Sequence, residues 1–130
     1  MRRVNLLFLF NFLLLGVIGC IDGQQDVLPD IEINETCFSG DVVKRAKNQK
    51  GTIYYDSIEQ RFAVYVTIPG TYDSQDVGFI CDKLDTLKKD NLSIVFTGTY
   101  YPYLEDRQAP VAGQEYYFLD IQKFKVLEKQ

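Results

Sequence analysis

Tyr100, Tyr101 and Tyr103 stand almost side by side, and Arg107 follows four residues later. Three phenol rings and one guanidinium on a single connection form a dense concentration of binding chemistry. Such rings stack on sugars, bases or peptide side chains while their hydroxyls exchange hydrogen bonds. With a single cation among them, they suit a neutral or weakly acidic ligand better than a polyanion. The plainer use of the same tyrosines is to cover the rim of a small domain and fill its core, since Tyr is a common strand residue. Catalytic chemistry is harder to assemble. The chain has no histidine, which removes Ser-His and Cys-His pairs and the commonest metal ligand. Glycoside hydrolysis needs two carboxylates across a cleft. Glu105, Asp106, Asp73 and Asp76 have the right type, but the turn residues around them read as solvated loops. Asp73, Asp76 and Asp82 lack the regular spacing of a calcium loop. No phosphate loop, nucleophile elbow or zinc pattern occurs. The expectation is a binding protein, not an enzyme, with no cofactor and no metal.

A different chemistry lies near the start. Arg2 and Arg3 precede an apolar run from Val4 to Ile18, which stops at Cys20. Basic start, apolar middle and small residue before the break are the parts of a secretory signal. The run is short for a bilayer span, which takes ~20 residues. Its end, "VIGC" (Val17, Ile18, Gly19, Cys20), resembles the lipobox of bacterial lipoproteins. That resemblance implies removal of residues 1–19 and a diacylglyceryl group on the Cys20 thiol. Acyl chains then anchor the protein at ~0.8 kcal/mol per buried methylene. The alternative is an ordinary signal with an incidental cysteine. The expected location is the bacterial cell envelope, the outer membrane ahead of the inner. In a bacterial chain the acceptor patterns Asn34-Glu35-Thr36 and Asn91-Leu92-Ser93 are coincidental.

Twelve of the 14 basic residues and all 18 acidic ones lie in Cys20–Gln130, a formal charge of −6. Acidity of this size argues against a nucleic-acid partner, which requires a basic stripe. The same 111 residues allow one domain with a modest core. They retain two cysteines, Cys37 and Cys81. In an oxidising compartment an even count points to a disulfide; the alternative is two buried free thiols.

Residues 20–35 are polar and acidic without a clear period, and predict a flexible tether. The folded domain spans 36–130. A weak extended stretch interrupted by Gly51 leads into Thr52–Tyr55, and Asp56–Gln60 reads as a hairpin connection. In "RFAVYVTI", Phe62, Val64, Val66 and Ile68 alternate with Ala63, Tyr65 and Thr67, predicting a strand. "DVGFICD" is a shorter strand. "DKLDTLKKDN" predicts a helix of about two turns, capped by Asp82 and ended at Asn91. "LSIVFTGTY" alternates again. After a long loop, Tyr101–Gly113, the alternation of Tyr117, Leu119 and Ile121 with Tyr116, Phe118 and Asp120 marks the last strand.

Strand, strand, strand, short helix, strand, strand is the order of the OB-fold, a five-stranded Greek-key barrel. With "VFTG" before the fourth loop, the stretch from Phe38 to Leu127 is similar to small OB-fold-type lipoproteins and periplasmic proteins of bacteria. The expected class is therefore all-β, an OB-fold-like barrel with one short helix between its third and fourth strands. A small β-sandwich is the second choice. In OB-folds the loop between strands four and five borders the usual ligand face. At least two of Tyr100, Tyr101 and Tyr103 are then expected to be exposed, beside a groove with Tyr65 or Tyr116. The function expected is a lipid-anchored envelope protein whose domain binds a protein partner or a glycan. A structural or accessory subunit of an envelope complex comes next, and an enzyme using loop carboxylates last.

Overall fold

The computed structural model describes residues 28–104 and 112–128. Cys20, the signal, Glu105, Asp106 and Arg107 lie outside the described residues. Runs rich in β-branched and aromatic residues form six strands: β1 (Ile31–Glu32), β2 (Lys44–Asp56), β3 (Arg61–Thr67), β4 (Gln75–Ile80), β5 (Leu92–Pro102) and β6 (Gln114–Val126). β2 pairs antiparallel with β3 over its second half and with β5 over most of its length. β3 pairs antiparallel with β4, β4 parallel with β6, and β6 antiparallel with β5. Strands β2, β3, β4, β6 and β5 thus close on themselves into an OB-fold-like barrel. Closure excludes the two-sheet sandwich and saturates the backbone of each central strand.

Alternation puts one side chain in two into the barrel. Ile53, Val64, Ile94, Phe96, Leu119, Ile121 and Phe124 fill it, all essentially inaccessible to solvent. Gly98 is required where β5 crosses β6, because a Cβ there would lie 2.4 Å from the Asp120 carbonyl oxygen. Gly51 does not interrupt β2; its bare face accommodates Val64 and Val66 of β3. The irregularity in β2 falls earlier, between Ala46 and Gln49. There Asn48 has a positive φ of 48° and its N–H donates to the Thr97 hydroxyl.

Three expectations need correction. The helix is a single 3-10 turn, Asp85–Leu87, preceded by Leu84 rather than capped by Asp82. A second turn would order more of the chain without adding apolar burial to offset it, since Leu87 alone is fully buried and Leu84 only half. The long loop starts later than expected, because β5 continues through Tyr101 and Pro102, and β6 runs on to Val126. A bulge at Thr97/Gly98 shifts the register of β6. The inward set is consequently Tyr117, Leu119, Ile121 and then Phe124, a spacing of three that strict alternation does not anticipate. Finally, the predicted tether is not all leash. Ile31 and Glu32 pair with Phe124 and Lys123, and the Ile33 N–H donates to the Gln122 carbonyl. The backbone of β6 beyond its contact with β4 supplies the bonding groups for this added strand.

Between β1 and β2 the chain forms a strap against β6. Cys37 is joined to Cys81 by a disulfide, with a Cα–Cα distance of 5.9 Å. The Asp120 carboxylate accepts the N–H groups of Cys37 (3.0 Å) and Phe38 (3.2 Å). Phe38 stacks on Phe118 with ring centroids 4.6 Å apart.

Candidate functional site

The tyrosines of the Tyr100–Tyr103 cluster part company. Tyr100 is only 3% exposed and points into the barrel, edge-on to Tyr117 at 5.3 Å. It belongs to a polar plug at one end of the core. Lys44 from the start of β2 sits over the Tyr100 and Tyr117 rings, 5.2 and 4.6 Å from their centroids. Its ammonium pairs with Asp76 of β4 at 2.5 Å. The Tyr117 hydroxyl donates to Glu115. The other Asp76 oxygen, Oδ1, and the Tyr100 hydroxyl are buried with no hydrogen-bond partner among the described residues. The expectation that Tyr100 is an exposed ligand contact is therefore corrected: in β5 its register sends it inward, next to the space left by Gly78.

Burial has an electrostatic consequence here. The Tyr100 phenol is pushed well above its ordinary value by burial first and by the Asp76 charge second. Tyr117 moves in the same direction, through burial and then its hydrogen bond to Glu115. Both lose protons more readily in the unfolded chain, whose tyrosines titrate near pH ~10. The stability they contribute is full below that pH and is lost as pH rises above it. Following tyrosinate absorbance, two of the nine tyrosines should ionise only as the barrel unfolds at alkaline pH. Smooth ionisation of all nine in the folded protein would contradict this.

A second apolar cluster lies on the outside of the barrel. Ala63 of β3 and Val77 and Phe79 of β4 alternate with inward residues, yet each is fully buried. Tyr65, Tyr103, Tyr116 and Phe118 cover them. The ladder explains this grouping: Ala63 lies opposite Phe79 and Tyr65 opposite Val77, while Val77 lies beside Tyr116 and Phe79 beside Phe118. Tyr103 leaves the end of β5 and folds back across this face. Its ring centroid is 5.0 Å from both Phe79 and Phe118 and 6.5 Å from Tyr116. Tyr54 meets Tyr65 edge-on at 5.5 Å, and the Arg61 guanidinium lies over Phe118.

Two connections flank the face. In the β2–β3 turn the Asp56 carboxylate accepts the N–H groups of Ile58 and Glu59, an Asx-type arrangement that fixes the turn. Glu59 then accepts the Tyr103 hydroxyl, tying this turn to the start of the β5–β6 connection. At the other side, the Tyr116 hydroxyl donates to Gln114 Oε1 (2.7 Å), and Gln114 Nε2 donates to Gln75 Oε1 (3.1 Å).

The structure thus brings Tyr65, Tyr103 and Tyr116 together, half-buried rather than freely exposed. Tyr101 is half-buried in β5 opposite Phe118, Tyr100 is core, and Arg107 lies outside the described residues. Phe79, Phe118, Gln75 and Gln114 belong to the face but were not among the residues singled out in the sequence. Their signal was present: Tyr116–Leu119 and Val77–Ile80 are apolar on both alternating sets, the mark of a strand covered on two faces. Among the described residues no group of three or more His, Cys, Asp or Glu side chains is placed to hold a metal ion. No family model matches the chain, and no curated protein resembles it significantly.

Proposed function

We propose that the protein is a lipid-anchored component of the bacterial cell envelope, and that its barrel is a non-enzymatic binding module for a glycan or a protein partner. The observation that carries the binding part is the aromatic outer face of β3, β4 and β6 between the two connections joined by Tyr103 and Glu59. In an OB-fold the second and third strands, with the first and fourth loops, form the usual ligand surface. Here those elements are β3, β4, the Asp56–Gln60 turn and the connection after Pro102. Fold analogy supplies the location; the rings supply the chemistry.

Cys20 supports the anchoring part. Ten residues lie between it and the start of β1 at Ile31, a reach of at most ~40 Å. The ligand would be met close to the bilayer. Mass spectrometry of the purified protein should find acyl chains on Cys20, and Cys20→Ala should move the protein from membrane to soluble fraction. An unmodified cysteine, or unchanged attachment of the variant, rejects the anchor.

The face is tested separately. A photo-crosslinking residue replacing Tyr65 should capture envelope material in intact cells. The same residue replacing Tyr72, which is fully exposed on the β3–β4 turn, should not. Equal capture from both positions, or none from either, rejects the face as a site. Exposed Ile58 and Leu104, the neighbours of Glu59 and Tyr103, favour the second reading, an accessory subunit docked to a protein through an apolar rim.

A further inference from the structure

We infer that the ligand of the aromatic face is a neutral glycan. This rests on the reading of that face as a binding site and names the chemistry it selects.

Three observations converge. First, ring and amide lie side by side. Tyr65 and Tyr116 flank the fully buried Val77, and two residues along the ladder, on the same face, Gln75 pairs with Gln114. A pyranose has one apolar C–H face and an edge of hydroxyls. The first stacks on a tyrosine ring; the second bonds to a planar amide that both donates and accepts.

Second, the polar edge is ordered in one direction. Tyr116 O–H donates to Gln114 Oε1, and Gln114 Nε2 donates to Gln75 Oε1. Each amide nitrogen carries two N–H groups. The Gln75 amide and the second Gln114 N–H therefore remain to serve neighbouring ligand hydroxyls, among the bonds of the described residues. Gln75, Gln114, Tyr65 and Tyr116 carry no charge, and the chain is acidic overall. Arg61, over Phe118, brings one cation to this face, fewer than a polyanionic ligand needs for neutralisation.

Third, the face cannot capture an extended peptide through its backbone. Strand addition needs an unpaired edge, and β3 and β4 are each hydrogen-bonded on both sides. A ligand lying on these two strands is met by their side chains, and rings beside amides are what a glycan uses.

The test uses the full chain purified in a non-glycosidic detergent. Cellotetraose, maltotetraose and chitotetraose are titrated against it by calorimetry and by ligand-observed NMR. At least one should bind, and Tyr65→Ala should weaken it by about tenfold or more. Gln114→Ala should weaken it several-fold, and Tyr116→Phe, which keeps the ring, should cost less than Tyr116→Ala. If Tyr65→Ala loses its circular dichroism signature, the Gln114 and Tyr116→Phe variants carry the comparison. Binding that is indifferent to all of these substitutions overturns the inference. So does the absence of binding by all three sugars; if crosslinking from position 65 still captures an envelope protein, the face remains a site and only its glycan specificity falls. Failure of both experiments removes the site itself.

Discussion

Replacing Cys37 and Cys81 together by Ser should lower the unfolding free energy by about 4 kcal/mol. The bridge closes a loop of 44 residues, and the chain-entropy model assigns that length about this much constraint on the unfolded chain. For a domain of roughly 100 residues, such a loss lowers Tm by about 15–30 °C. The native state is affected locally as well. Without the bridge, the strap is held by the Asp120 bonds, the Phe38–Phe118 stack and the short β1 pairing. Thermal unfolding with and without reductant, compared with the double Ser variant, measures the effect. The two perturbations should agree, and Phe38→Ala should add little to the reduced protein once its strap is loose. A Tm unchanged by reduction would mean that the non-covalent contacts suffice to hold residues 33–43.

Lys44→Met should be the other costly change. Asp76 is 8% exposed, and Lys44 is its sole ion-pair partner among the described residues. Losing the partner of a fully buried ion costs ~3–5 kcal/mol; the Lys44 side chain keeps some solvent access, so about 2–3 kcal/mol is expected here. The ammonium also rests on two tyrosine faces, an attraction that Met replaces only by ordinary contact. The double variant Lys44→Met/Asp76→Leu should recover most of the loss, because it removes the charge that was left behind. Denaturant melts of the two single variants and the double complete the cycle. If Lys44→Met alone is neutral, the pair is a surface contact and the plug is held by Tyr100 and Tyr117 packing.

Much of this architecture was legible in the residues themselves. The alternation of Val64 and Val66 with Ala63 and Tyr65 marks a strand, and the order of such segments marks the barrel, because period-two patterning is a local property of the chain. Even the second apolar face could be read in Val77–Ile80 and Tyr116–Leu119. What covers that face could not. Phe38 and Tyr103 reach it from segments 80 residues and 15 residues away from Phe118 in sequence, and only the closed fold brings them there. The same limit governs the tyrosine cluster. Tyr100, Tyr101 and Tyr103 are nearly identical in local chemistry, but a shift of one residue along a strand exchanges inside for outside. The pairing of β5 with β6, slipped at Gly98, sends Tyr100 into the plug and leaves Tyr103 to fold across Phe79. Likewise Leu84 and Leu87 share a helical spacing, yet the barrel has room to bury only Leu87 completely, so one turn forms. Residue type and period determined that there would be a barrel rich in tyrosine. Register and closure decided which rings became core and which became surface, since those depend on partners far away in sequence.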